Sequence, residues 1–584
     1  MGRSLKNLLS SVLVLCLLIS QVGLSSIKAH AAGETVLRYG ITGMFISFNP
    51  LTGYSYTMIR SILYATLFAY NETWGIEPWG AEYAKQIDPL TIEIKLRDDW
   101  YWHDGKPVTS YDYKFTWELL LKYPCAQTRF VKAVSSIDII NDKVFRVHLK
   151  SPMGGYLPFL TSVCVAVPKH IWEPKGLTNE SALTYENIPP IGNGPFKFVE
   201  YKPGEYILFE AFDKFFAGKP KIDKLMVVIF SSMDAMVNAL RTGGIDVASN
   251  VPMSVAIELM KDPNLYVSLA EIPSYRSIYV NQYPGKAGHP ALDDLTVRKA
   301  IAMCIDKEGI SEAIHPGFTV GFTPIPRYWP MFNPEVQNIW PKYDPKAAGD
   351  LLESAGYKDT DGDGIREDPK SGKPLRFRYW VYNAYPEELR AAEFIRDSLR
   401  QAGMDVEIRG MEAVLWDYVV SKPYDWDLAQ WGWTVHDPIS CWFPYTSDAI
   451  PAGWSSSGYH NPEFDQLYNS LLNATNYNEF LEAQYKLQKH FAENLVEFIL
   501  YHESYPSVWN VKWTGFSNKP CGVFWYGFNS RTFNDVHLVG VTEVAKGMNW
   551  NLVVGVIAGA IIVIAVIATI LIRRKGKRAQ PTAT

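Results

Sequence analysis

The residues with the most evident chemical potential lie in an acidic run. Asp359-Thr-Asp361-Gly-Asp363-Gly364-Ile365-Arg-Glu367 sets oxygen ligands at alternate positions around a glycine at the sixth. Asp359, Asp361, Asp363, the Ile365 carbonyl and Glu367 would wrap a hard cation such as calcium, as the first nine positions of an EF-hand loop do. The twelfth position is Lys370, where a bidentate carboxylate is required, and a strand-like run follows instead of a helix. An Asp/Gly-rich turn leading into Leu375–Trp380 is therefore the competing reading. A calcium ion held here would be structural; nothing else in the sequence calls for a cofactor.

Aromatic chemistry is the second resource. Aromatic residues make up 14% of the chain, with nineteen Trp and thirty-four Tyr. Trp431 and Trp433 stand two apart, so a strand would present both on one face. Rigid aromatic faces of that kind suit sugar rings or peptide side chains. His103-Asp104 is an acid–base pair by composition alone. The signatures of common hydrolases and nucleotide-binding enzymes are missing: there is no H-E-x-x-H, no G-x-S-x-G and no P-loop. No C-x-x-C occurs, which argues against a structural zinc. Paired glycosidase carboxylates are set in space and not in sequence. An anchored extracellular glycoside hydrolase thus stays open as the reading of another class.

The elements that must hold these residues alternate between strand and helix. Thr91–Arg97 alternates with period two and predicts a strand; 109–121 predicts a helix capped by Thr109 or Ser110. Phe196–Tyr201 and Tyr206–Glu210, joined by Lys202-Pro-Gly204, predict a hairpin. Met233–Leu240 reads as a helix before a strand at Ile245–Ala248. Further helices are predicted at Val297–Cys304, Pro345–Ala355 and Glu387–Ala402. Together they give an α/β chain with mixed sheets.

The ends point to a compartment. Arg3 and Lys6 precede the apolar run Leu8–Ile19, and Ala29-His30-Ala31 follows, the pattern of a cleavable secretory signal over residues 1–31. Leu552–Ile572 is an uncharged run long enough to span a bilayer as a helix, and the basic tail 573–584 would stay cytoplasmic. The expected product is a single-pass protein of the cell membrane with its ectodomain outside. About 516 residues between these ends exceed one hydrophobic core. Setting aside three basic residues in the leader and five in the tail turns the net charge of −5 into −13 for that ectodomain, which argues against nucleic acid as a partner. Of five cysteines beyond the leader, an odd number, at least one must stay unpaired.

A family resemblance is carried by ordered motifs. Leu96-Arg97-Asp-Asp-Trp-Tyr-Trp-His103-Asp104-Gly105-Lys106-Pro107-Val108-Thr109-Ser-Tyr-Asp112 resembles the signature of the family 5 solute-binding proteins, the dipeptide/oligopeptide-binding type of ABC importers. Val167-Pro168-Lys169-His170-Ile171, Ile191-Gly192-Asn193-Gly194-Pro195-Phe196 and Gly244-Ile245-Asp246-Val247 follow in the family's order. So do Asn281, the Asp294–Asp306 helix region, Tyr343–Tyr357, Trp431-Gly432-Trp433 and Tyr459–Asp465. The resemblance implies a periplasmic-binding-protein-like, two-lobe clamshell with an extra inserted domain; the C-terminal transmembrane helix, expected from the apolar run alone, departs from the family's common lipoprotein or free periplasmic forms. Carried onto this chain, lobe I combines residues 33–56, 191–273 and 501–540, the inserted domain is 57–190, and lobe II is 274–500. Most motif residues, His103, Asp104, Gly194 and Asp246 among them, would be architectural.

Ligand contacts implied by the resemblance are Tyr54 and Tyr56 in the loop after the first strand, Asn250 after the G-x-I-D strand, and Trp431, Trp433, Thr434, His436 and Asp437 around the G-W strand. Trp416 would stand nearby as a pocket wall. The expected partners are a peptide and an importer permease. One departure bears on the ligand: Gly432-Trp433-Thr434-Val435-His436-Asp437-Pro438 is shorter by about two residues than in peptide binders and puts His436 where they place an Asp for the peptide ammonium. An oligosaccharide therefore stays open beside a peptide, with other solutes such as nickel chelates behind them.

Overall fold

Local signals fix the elements much as the sequence predicts. Thr109 is the N-cap of the helix Ser110–Lys122, in a capping box with Asp112. Asp344 caps Pro345–Ser354 with proline in its first turn, and Asp294 caps Leu295–Met303. The computed structural model describes residues 34–43, 47–51, 57–72, 75–123, 131, 133–155, 165–178, 181–314, 317–383, 386–411, 415–435, 438–517 and 532–539. The leader, the Leu552–Ile572 run and the basic tail lie outside these. Among the described residues no helix is long and apolar enough to cross a membrane.

In chain order the strands are β1 (Val36–Thr42), β2 (Phe68–Tyr70), β3 (Ile76–Pro78), β4 (Ala81–Asp88), β5 (Thr91–Leu96), β6 (Val134–Asn141) and β7 (Val144–Leu149). There follow β8 (Phe196–Lys202), β9 (Tyr206–Ala211), β10 (Lys224–Phe230), β11 (Val247–Ser249), β12 (Leu265–Val280) and β13 (Thr319–Val320). The last are β14 (Arg376–Tyr382), β15 (Asp405–Met411), β16 (Leu428–Thr434), β17 (Glu497–Asn510), β18 (Trp513–Thr514) and β19 (His537–Leu538). Two compact units result. The smaller contains the antiparallel pair β18–β19. The larger, Val36–Val511 with Gly515–Val536, carries everything described below.

The main sheet of the larger unit runs in the order β15-β14-β16-β12-β17-β11-β1-β10-β9-β8, with β13 on β17. A separate antiparallel sheet, β4-β5-β7-β6, falls between β1 and β8 in sequence. It backs onto the Ser110–Lys122 helix, where Tyr113 stacks on Phe145 with ring centroids 5.6 Å apart.

Two strands organise the main sheet. β12 and β17 are sixteen and fourteen residues long, and each passes through both halves. Their lower parts pair Leu265–Glu271 with Ser504–Asn510, next to β11; their upper parts pair Tyr275–Tyr279 with Glu497–His502, next to β16. Register breaks between Glu271 and Tyr275. Pro273 sits in that gap and lacks the N–H a continuous ladder would use. The apolar core of the upper half gathers Ile278, Val280, Phe377, Val381 and Phe498 with the faces of the helices Leu295–Met303, Pro386–Gln401 and Tyr477–Glu493.

Candidate ligand cleft

Strand direction says where a ligand belongs. β1, β10 and β11 are mutually parallel, and β11 is antiparallel to β17, so their carboxyl ends advance toward the irregular stretch of β12 and β17. β16 is antiparallel to β12 and parallel to β14 and β15, so those three carboxyl ends advance on the same stretch from the opposite side. Thr434 ends β16 opposite Ser274, while Ser249 ends β11 opposite Ser507. In open α/β sheets ligands bind beyond the carboxyl ends of the strands. Here two such sets face one segment, Ile272–Ser274 with His502–Ser504.

Most of the motif residues build the frame around that segment. His103 Nδ1 accepts from the Gly192 N–H at 3.2 Å, so Nε2 carries the proton and donates to the Gly194 carbonyl at 3.1 Å. Burial holds this imidazole neutral, its pKa pushed down to about 4, mainly by desolvation. Asn193 Oδ1 accepts from Ala65 N–H, which pins the same loop to the chain before β2. Asp104 pairs with His170 at 2.7 Å. Asp246 takes the Arg38 backbone N–H and two guanidinium donors at 2.9–3.0 Å, joining β11 to β1. Asp427 receives the backbone N–H groups of His289 and Arg378, and Asn281 donates to the carbonyls of Tyr424 and Trp426.

The aromatic pair behaves as the spacing predicts. Trp431 and Trp433 share the face of β16 that packs with Tyr279, Trp380, Leu415 and Val419. The Tyr382 ring meets Trp431 edge-on at 5.0 Å. Trp454, from the turn after Ile450, lies 6.5 Å from Trp433 and is 54% exposed. A tryptophan that open to solvent beside two half-buried ones extends the aromatic wall. Sequence reasoning missed it because it belongs to no motif. Gly432 between the pair is fixed by sterics: a Cβ there would meet the Tyr275 carbonyl at 2.3 Å and Arg276 Nη1 at 2.7 Å.

A charged cluster lies by the irregular stretch. Arg276 Nη2 is 2.9 Å from Glu503 Oε1 and its Nε 3.7 Å from Glu388. Ser274 donates to Glu503, Gln430 donates to Glu388, and Tyr501 donates to Glu388 at 2.6 Å. Burial alone would lower the Arg276 pKa; Glu503 and Glu388 outweigh it and hold the guanidinium above its ordinary value. Burial raises Glu388. On the other face Glu497 accepts from Ser277 and is fully buried, with its pKa raised by desolvation to about 8. His502 is buried neutral, pushed down to about 3 by the same cause.

Of the other contacts implied by the resemblance, Asn250 follows β11 directly, with a positive φ of 59° and an exposed side chain. Asparagine tolerates that left-handed geometry. Trp431, Trp433 and Thr434 stand together on β16, and Asn250 approaches the same stretch from the other half. Trp416 falls in the helix Leu415–Val420. Tyr54, Tyr56, His436 and Asp437 lie outside the described residues.

The acidic loop sits apart from the cleft, ahead of β14. One carboxylate oxygen from each of Asp359, Asp361, Asp363 and Glu367 lies within 4.8 Å of the others. That spread suits calcium–oxygen distances of about 2.3–2.6 Å. Gly362 and Gly364 donate backbone N–H to Asp359, and Arg376 Nη2 lies 2.6 Å from Asp363.

The model of the bacterial extracellular solute-binding proteins, family 5, matches residues 75–451, more than half of the chain. The chain belongs to that family. Among its family 5 relatives, the oligopeptide-binding protein AppA of Bacillus subtilis is 26% identical over 81% of this chain and 87% of its own length. The structure of NikZ from Campylobacter jejuni in complex with Ni(L-His) is 26% identical, with a TM-score of 0.68 over 86% of this chain and 99% of that one. The AppA structure in complex with a nonapeptide has a TM-score of 0.65 over 87% of this chain and all of that one, at 24% identity. A family 5 member is a binding protein and not an enzyme, so the hydrolase alternative falls. The periplasmic-binding-protein-like fold is the one the motifs imply.

Proposed function

We propose that this chain captures a peptide outside the cell for an ABC importer, held to the membrane by a helix at Leu552–Ile572. The observation that carries the capture reading is the pair of strands β12 and β17. They run through both halves of the main sheet and lose register between Glu271 and Tyr275, where two sets of strand ends converge. Two shared strands with an irregular middle form a hinge: each half stays rigid while a few dihedrals change between them. Closure would bury the ligand among groups of both halves, and the closed state would be what a permease recognises. The lobe division at 273–274 is supported by the same irregularity.

The ligand contacts are read as Tyr54, Tyr56 and Asn250 on one side, and Trp416, Trp431, Trp433, Thr434, His436 and Asp437 on the other. The peptide assignment is supported by AppA, whose crystal complex holds a nonapeptide. The wall formed by Trp431, Trp433, Trp454 and Tyr382 also favours an oligosaccharide, because flat rings stack on sugar faces. The acidic loop enters only as a structural element; a calcium ion held there would stiffen the turn before β14 without touching ligand.

Thermal denaturation of the full chain in detergent, against panels of peptides and of oligosaccharides, tests the proposal. A ligand at a hundred times its Kd adds about 2.7 kcal/mol to the native state. Stabilisation by peptides, lost in Trp433→Ala, is the expected result. Stabilisation by sugars alone would replace the ligand, and release of products from either would overturn the reading.

A further inference from the structure

A cavity of about 480 Å³ opens in the larger unit at the far end of β12, lined among others by Tyr283, Lys286, Arg298, Tyr459, His460 and Asn494. It is not the cleft. Gln282, on its wall, lies eight residues beyond Ser274, roughly 26 Å along an extended strand. None of the motif-derived ligand contacts lines it.

The charge in this cavity is incompletely answered. Arg298 is 6% exposed, and its donors reach only neutral carbonyls: Leu292 at 2.9 Å, Asp293 at 3.0 Å, and Asn494 at 3.1 and 3.3 Å. Among the described residues it makes no ion pair. Five N–H groups against these four bonds leave one Nη2 hydrogen unspent. A buried guanidinium ordinarily faces a carboxylate or phosphate, since carbonyl dipoles alone compensate its lost hydration poorly. Lys286 is the second cation. Its Nζ donates to the Asn281 carbonyl and to Asp293 Oδ1, both at 2.6 Å, and retains a third hydrogen. His460 stands at the exposed rim, its Nδ1 donating to the Gly458 carbonyl at 3.0 Å, so Nε2 of the neutral ring is an acceptor and offers an anion no N–H. Two cations thus meet one lining carboxylate, Asp293, which Lys286 already holds; Asp294 also acts on Arg298 and Asp427 on Lys286, but from outside the lining and without an ion pair to either.

We infer that this cavity is a second ligand site, specific for a small oxyanion, a carboxylate or a phosphate group, bound between Arg298 and Lys286. Arg298 supplies the buried positive charge and Lys286 a movable donor. The Tyr283 ring closes the floor; it stacks on Tyr424 at 3.8 Å and is held by its hydroxyl on the Ser455 carbonyl, so the floor is rigid. The cavity holds a molecule well above the size of the anion itself, which leaves room for a polar body beyond the charged head.

The test is isothermal titration of the full chain with inorganic phosphate and with malonate, chloride serving as the ionic-strength control. Saturable binding of one or both, absent with chloride, is expected, and the stronger of the two names the head group. Lys286→Gln should weaken it by about tenfold, while the variant melts as cooperatively as the parent. Trp433→Ala, in the cleft, should leave anion binding unchanged. Heats that never saturate with either anion overturn the assignment, as does wild-type affinity in Lys286→Gln.

Discussion

Replacing Glu497 by glutamine should make the protein more stable at pH 8 and nearly neutral in effect at pH 5. Glu497 is fully buried at the start of β17, where it accepts from Ser277 on the neighbouring β12. Desolvation raises its pKa from 4.5 to about 8. The folded state thus keeps a proton that the unfolded chain gives up above pH 4.5. Stability carried by that proton is complete below the unfolded pKa and drains away as pH rises toward 8, levelling above it. At about 1.36 kcal/mol per pH unit, the loss between pH 5 and pH 8 integrates to about 3.5 kcal/mol, once partial titration at each end is included. Glutamine copies the shape of the neutral acid and does not titrate, so the variant lacks this term. Spread over a unit of this size, the difference amounts to a Tm gain of about 3 °C at pH 8. Buried His502, held neutral by a pKa pushed down to about 3, contributes the opposite slope below pH 6.5 in both proteins and cancels in the comparison. The assay is paired thermal melts at half-unit steps from pH 5 to pH 8.5. A difference between the two proteins that does not change with pH would refute the assignment of a protonated Glu497.

Gly432→Ala should cost about 2 kcal/mol or more and weaken ligand binding, because the added methyl meets the Tyr275 carbonyl and Arg276 and displaces Trp431 and Trp433; melts and titrations on one preparation check both. Asp246→Asn should destabilise by about 2–3 kcal/mol, read by thermal melts, since it breaks the two-point contact to the partly exposed Arg38 and unties β11 from β1. Adding or chelating calcium should leave ligand affinity unchanged by titration calorimetry, because the Asp359–Glu367 loop, where a calcium ion would sit, lies apart from the cleft.

Legibility in the sequence followed how local each signal was. Capped helices were readable because the capping side chain is a neighbour: Thr109 with Asp112, Asp344 with Ala347. The strand expected at Ile245–Ala248 begins instead at Val247, because Asp246 turns its side chain to Arg38 just before it. β12 and β17 were not read at all. Pro273, Glu271, Arg276 and Glu503 interrupt any apolar pattern, and the partners that make such groups tolerable, Glu388 and Thr319 among them, come from distant segments. For the same reason the pairing of the Trp431–Trp433 face with Trp454 required the fold, although the face itself was legible from period-two spacing.

The capture claim is tested most directly by native mass spectrometry of the full chain released from detergent after incubation with a defined peptide pool. The account predicts one peptide per chain, recovered with its mass unchanged after prolonged incubation. Shortened peptides, or a chain that carries no peptide from the pool, would contradict it.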